Sequence, residues 1–194
     1  MLQKRLVLAS NSPRRIALLK TLGYSFDIIP HGIEEHLLCG VLPEVLALDL
    51  ACQKADDVAK RVDNAIIVSA DTVIAFNQHI LGKPKDPENA KKMLALLNGS
   101  MHEVISGVCL VDVPSQKKML RTDRTRITIS KMTEEEIESY VSTGEPLDKA
   151  GAYAIQGGGK KFIEKIEGSY SNVVGLPLEI LQDMLQHFIM GANA

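Results

Sequence analysis

A short apolar strand that turns directly into a helix at Leu8-Ala9-Ser10-Asn11-Ser12-Pro13-Arg14-Arg15 constrains this chain more than any other stretch. Arg5 to Ala9 reads as a buried strand, and Ile16, Leu18, Leu19 and Leu22 recur at helical spacing up to a stop at Gly23. Ser12 fits an N-cap and Pro13 the first helical position, because proline has no N–H to lose there and its φ is already helical. Arg14 and Arg15 do not fit that logic, since the helix dipole places partial positive charge in the first turn and favours acids there. Two guanidinium forks, two serine hydroxyls and backbone N–H groups converging on one spot describe a phosphate site. The alternative is that both arginines lie on a solvated surface.

Further along, Tyr24 to Ile29 alternates with a period of two and ends at Pro30, as a strand does, and His31 to His36 is a polar loop. Pro43 to about Arg61 has the apolar spacing of a helix and carries Lys54 in its middle. Ala65 to Ala70 is a near-continuous apolar run, which predicts a strand covered on both faces that delivers Asp71-Thr72 at its end. Val73-Phe76 and His79-Gly82 then read as a hairpin about Asn77-Gln78, leading to Lys83-Pro84. Asp86-Pro87-Glu88 opens a capped helix that closes at Asn98-Gly99, and Glu103-Val113 and Met119-Ile129 read as two long strands joined at Pro114-Ser115. Thr133 to Glu136 is a capping box with acids in the first turn, the ordinary arrangement that Arg14-Arg15 reverses. Glu145 to Leu176 is rich in Gly and polar residues, and Leu176-Pro177 begins a last amphipathic helix. Helices and strands alternate early and hairpins dominate the middle, so the expectation is an α/β protein with a mixed sheet.

At 194 residues, with no repeat and no long linker, the chain is expected to form one domain over 1–194. A net charge of −2 excludes an overall basic footprint for nucleic acid, so a polyanion must be held by a local cluster. Cys39, Cys52 and Cys109 show neither CxxC nor metal-finger spacing and read as free thiols of a reducing compartment. No signal-peptide core and no membrane-length apolar run is present, and a cytoplasmic location is expected.

A carboxylate at the end of a buried strand, as expected for Asp71, can face a cleft of an α/β sheet. Asp71 could also be a turn residue, Lys83 a solvated loop charge, Lys54 a helix-surface lysine and Glu34 mere loop polarity. Taken together they describe a triphosphate site, with Ser10, Ser12, Arg14 and Arg15 for phosphate oxygens, Lys54 and Lys83 for further charge, and Glu34 with Asp71 near a hard cation. Such a cation needs only one or two protein carboxylates, and a positioned Asp can take a proton from the attacking water. There is no GxxxxGK[ST], HExxH or GxSxG, which excludes the Walker-type site, zincins and the usual serine hydrolases.

Ser10-Asn11-Ser12-Pro13-Arg14-Arg15, Ser69-Ala70-Asp71-Thr72, Gly82-Lys83-Pro84, Asp148 to Gly157 and Gly168 to Pro177 resemble, in order, the motifs of the Maf family of nucleoside triphosphate pyrophosphatases, from near residue 5 to beyond residue 180. The resemblance implies an elongated mixed sheet flanked by helices, with two lobes around a cleft, similar to the inosine-triphosphate pyrophosphatases. It implies hydrolysis of a nucleoside triphosphate to the monophosphate and pyrophosphate with a divalent cation, Mg²⁺, Mn²⁺ or Co²⁺, in a homodimer. Asp71 matches the family's proposed general base; Ser10, Arg14, Arg15, Glu34, Lys54 and Lys83 match its phosphate and metal neighbourhood. Arg14, Thr72 and Gln156 match the branch that acts on dTTP and UTP, whereas the branch acting on 7-methylguanosine triphosphate has Trp, Gln and Glu there. Gln156 could accept from a uracil or thymine N3–H and donate to O4, and Arg14 would repel a cationic methylated purine that a Trp would attract. Asn11 and Ser69 stand where the family commonly has small residues, and Gly157-Gly158-Gly159-Lys160 is a local variation that bears on loop mobility. Two other readings are a nucleotide-binding regulator of septum formation without turnover and a nucleotidyltransferase. Retention of Asp71 and Lys83 argues against the first, and no acceptor site is visible for the second.

Overall fold

The computed structural model describes residues 4–34, 40–77, 79–113 and 115–190; Glu35, His36, Cys39, Gln78 and Pro114 therefore lie outside the described residues. In chain order the elements are β1 (Arg5–Leu8), α1 (Pro13–Thr21), β2 (Asp27–Ile28), α2 (Pro43–Ala59), β3 (Ala65–Phe76), β4 (His79–Leu81), α3 (Pro87–Leu97), β5 (Met101–Val113), β6 (Lys118–Ile129), α4 (Glu134–Ser142), β7 (Ile163–Glu167), α5 (Tyr170–Val174) and α6 (Leu178–Met190). The strands pair in the order β2-β1-β3-β5-β6-β7, with β4 on β3. β1 runs parallel to β2 and β3, while β3–β4 and β6–β7 are antiparallel, so the sheet is mixed as expected.

Two compact units form. The first comprises the chain up to Asp71, Ser106–Asp123 and Gly175 onward; the second comprises Thr72–Ile105 and Arg124–Val174. In the first unit the period-two geometry of strands sends alternate residues to two separate cores. Leu6, Leu8, Ile66, Val68, Ala70, Val108 and Leu110 meet Leu19 of α1 and Leu181, Met184, Leu185 and Phe188 of α6. Val7, Ala9, Ala65, Ile67, Cys109 and Val111 meet Ala51, Ala55 and Val58 of α2. Burial on both faces is why these strands read as continuous apolar runs. The second unit has one core, in which Ala90, Leu94 and Leu97 of α3 and Ile137, Tyr140 and Val141 of α4 pack with Ile74, Val104, Ile127, Ala152, Tyr153 and Phe162.

Several sequence expectations change. The strand expected over Tyr24–Ile29 pairs only at Asp27–Ile28, an exposed edge whose other residues turn Tyr24 and Phe26 onto the core. Ala65–Ala70 and Val73–Phe76 are one strand of 12 residues, so Asp71 sits within β3 rather than at a strand end. The Gly-rich stretch holds three short 3₁₀ turns, Glu145–Asp148, Ala150–Ala152 and Gly157–Phe162, then β7 and α5, which the composition hid. β7 is an almost wholly exposed edge strand, so it carries no buried alternation to read.

Candidate active site

The turn after β1 forms as its sequence dictates. Ser12 is the N-cap of α1, its hydroxyl oxygen accepting the Arg15 N–H at 3.4 Å, and Pro13 opens the helix. Ser10, buried at the strand exit, accepts the Ser12 N–H on its Oγ at 3.1 Å. Both serines thus shape the turn with their own oxygens. β1 ends at Leu8 opposite Val68, with the Ala9 N–H donating to the Val68 carbonyl at 2.8 Å, while β3 runs on through Asp71. Ser10 to Arg15 therefore leaves the sheet at the carboxyl end of a parallel strand, beside the part of β3 that carries Asp71, where α/β sheets usually bind ligands. Of the two arginines, Arg15 donates through Nε to the Gly175 carbonyl at 2.8 Å and is half-buried. Arg14 is likewise half-buried.

Alternation along β3 puts Ala65, Ile67, Ser69 and Asp71 on the face that meets α2. On α2 the residues Ala47, Ala51, Lys54, Ala55 and Val58 share one face, and all are buried. Lys54 is consequently no surface lysine: its Nζ donates to Asp71 Oδ1 at 2.5 Å, with side-chain exposures of 2% and 8%. Ser69 Oγ donates to the Ala51 carbonyl at 2.5 Å one turn away. The helix comes this close because Gly107 of β5 has no side chain; a Cβ there would lie 2.5 Å from the Ala47 carbonyl atoms. Taking both charges out of water is costly unless they are paired, so the fold holds an ion pair where apolar packing would be cheaper in stability. Stability alone is a poor reason for such a pair, and chemistry is a better one.

The remaining candidates are more open. Glu34 is exposed and, among the described residues, makes no ion pair or hydrogen bond with the other candidates. Nearby, the Gly32 N–H donates to Asp57 Oδ2 at 2.8 Å and Arg61 Nη2 to the Pro30 carbonyl at 2.6 Å, which fastens that loop to α2. In the second unit Thr72 is half-buried, whereas Lys83 and Gln156 are exposed. The Gly151 N–H donates to the Gly82 carbonyl at 3.0 Å, tying the Lys83 turn to the segment that leads to Gln156. Among the described residues no three His, Cys, Asp or Glu gather as ligands for a metal.

Two polar groupings, one buried and one half-buried, escaped the sequence reading. His102 Nε2 and Tyr153 Oη lie 2.6 Å apart, both buried in the second unit's core. Glu145 accepts from the Tyr140 hydroxyl at 2.9 Å and from the Gly158 and Gly159 N–H groups at 3.0 and 3.3 Å. The one available signal was the run of three glycines, which marks a backbone approached closely by something.

A family model described as Maf-like protein matches residues 5–188. A dTTP/UTP pyrophosphatase of Pelotomaculum thermopropionicum is 46% identical over 185 residues, covering 95% of this chain and 97% of the relative. Proteins of the same description are 45% identical in Caldicellulosiruptor saccharolyticus, over 94% of each chain, and 47% identical in Methanosarcina barkeri, over 94% and 93%. Among the described residues no helix is long and apolar enough to cross a membrane.

Proposed function

The chain belongs to the Maf family, and from that premise we propose that it is a nucleoside triphosphate pyrophosphatase whose substrates are dTTP and UTP. The observation that carries the reading is identity near 45% along almost the whole chain to relatives bearing that description, joined to a buried Lys54–Asp71 pair beside the Ser10–Arg15 turn.

In this reading a water attacks the α-phosphorus, the bond from that phosphorus to the α–β bridging oxygen breaks, and pyrophosphate leaves. Asp71 takes the proton of the attacking water, a role that general-base catalysis values at ~10²–10⁴-fold. Lys54 fixes the orientation of the carboxylate, so that the base is positioned before substrate arrives. By the family resemblance, Arg14, Arg15 and the serine turn are assigned to phosphate oxygens, Lys83 to further phosphate charge, and Thr72 and Gln156 to recognition of the base. With one oxygen of Asp71 taken by Lys54, the carboxylates of Asp71 and Glu34 suit a hard cation shared with the phosphates, Mg²⁺ or Mn²⁺ or else Co²⁺. When bound, such a cation neutralises charge that grows on the phosphates. A homodimer in the cytoplasm completes the proposal.

Pyrophosphate release from canonical, 5-substituted and 7-methylguanosine triphosphates, with Mg²⁺ or Mn²⁺, tests it. Turnover of dTTP and UTP that Asp71→Asn lowers by ~10² or more supports both the activity and the base. Nucleotide binding without hydrolysis under either metal would leave the regulator of septum formation as the better reading.

A further inference from the structure

We propose that Glu145 is the positioning residue for the segment that presents Gln156, and that Gly157-Gly158-Gly159 is the receptor for its carboxylate rather than a hinge. The inference rests on the reading of Gln156 as the residue that recognises the pyrimidine base. A glycine run invites the idea of mobility, but the space beside each of these glycines is filled. A Cβ on Gly157 would lie 2.8 Å from Glu145 Oε2, and one on Gly158 3.3 Å from the same oxygen. On Gly159 it would meet the Ala154 carbonyl oxygen at 2.5 Å and Tyr140 Oη at 2.6 Å. Gly157, with φ +78°, also needs a backbone conformation that other residues adopt only with strain.

The carboxylate uses that space to tie the chain on one side of Gln156, through the Gly158 and Gly159 N–H groups. On the other side Tyr140 Oη, while donating to Glu145, accepts the Ala154 N–H at 3.2 Å. Only Ile155, Gln156 and Gly157 lie between the tied amides, and Ile155 is buried. Successive N–H groups wrapped around an anion form the kind of concavity that elsewhere binds phosphate. Here the chain's own carboxylate fills it, so those amides are committed. Burial alone would push the Glu145 carboxyl up, yet the bonds from Gly158, Tyr140 and Gly159 hold it below the ordinary carboxylate range. The anion therefore persists at neutral pH, and hydrogen bonds to an ionised acceptor are about twice as strong as neutral ones. A loop ordered before substrate arrives spares the ordering cost at binding and holds the Gln156 amide where a base can meet it.

The test uses the full chain with Glu145→Ala, Glu145→Gln, Gln156→Ala and the double variants. Amide exchange at Ala154, Gly158 and Gly159 is expected to quicken about tenfold or more in Glu145→Ala. The KM for UTP is expected to rise about tenfold, the worth of one well-placed hydrogen bond, with kcat little changed and Glu145→Gln intermediate. Glu145→Ala/Gln156→Ala should then lose no more kcat/KM for UTP than Gln156→Ala does, because both changes remove the same contact. Should Glu145→Ala not fold, the same cycle is run with Glu145→Gln. Unchanged amide exchange, or losses that add in the double variant, would overturn the role of Glu145 while leaving Gln156 as the base reader. If Gln156→Ala itself leaves the preference for dTTP and UTP intact, the base-reading role falls, and this inference with it.

Discussion

Lys54 Nζ stands 2.5 Å from Asp71 Oδ1, with both side chains out of water, on elements that meet only because α2 lies against the face of β3 that also carries Ala65, Ile67 and Ser69. An ion pair in this position predicts that stability and activity come apart. Lys54→Met leaves a buried carboxylate without its cation and should cost about 3–5 kcal/mol, read by urea unfolding. Lys54→Met/Asp71→Leu, which removes both charges, should recover most of that loss and still hydrolyse no UTP. A double variant as unstable as the single one would mean that the pair matters for packing, not charge.

A second prediction concerns how close α2 must come. In Gly107→Ala the new methyl would sit 2.5 Å from backbone atoms of Ala47, and backbone cannot rotate away as a flexible side chain can. The helix must shift outward, which should destabilise the protein by about 1–3 kcal/mol or more. Because Lys54 rides on the same helix, kcat should fall together with the melting temperature, although Gly107 acts only through the backbone of α2. Loss of stability with unchanged kcat would show that the Lys54–Asp71 geometry tolerates the shift.

These two contacts also show how far the sequence could be read. The capped turn at Ser12-Pro13, the helix at Pro43, the hairpin after Phe76 and the capping box at Thr133 follow local rules, and all form where the residues place them. The residues of the first unit's pair were also visible as candidates, Asp71 from the apolar run before it and Lys54 from the helix that bears it. Their pairing was not legible, because it depends on two periodicities brought into register by a glycine 36 positions further on along another strand. Glu145 was missed for the opposite reason, since its partners are backbone amides, which leave no residue-type signature except the glycines that admit it. β7 was missed because an exposed edge strand has no core face to impose alternation.

The two arginines should separate by experiment. Arg15 holds the Gly175 carbonyl through Nε, anchoring the residue from which the chain runs on into α6. Arg15→Ala should therefore lower the melting temperature as well as activity, by about 1 kcal/mol or somewhat more for the lost charge-assisted bond. Arg14→Ala should leave stability within about 0.5 kcal/mol, as expected for a change away from such features, and act chiefly on the KM for the triphosphate. Equal stability losses for both would remove the distinction.

The last prediction is a pH dependence with a definite sign. Burial in the second unit's core holds the His102 imidazole down to about 4, against an ordinary value of 6.5. Its Nε2 meets Tyr153 Oη and, among the described residues, its Nδ1 has no hydrogen-bond partner that would favour a proton. Between pH 4 and 6.5 the unfolded chain binds a proton at this residue that the folded chain refuses, so folding loses stability as pH falls through that window and keeps all of it above. The full difference is on the order of 3 kcal/mol for a shift of this size. His102→Gln preserves a polar partner for Tyr153 and removes the titration. Urea unfolding of the two proteins at pH 7 and pH 5 should show a smaller loss in the variant. If both lose stability equally, the imidazole is protonated in the folded protein at pH 5, and another group carries the acid sensitivity.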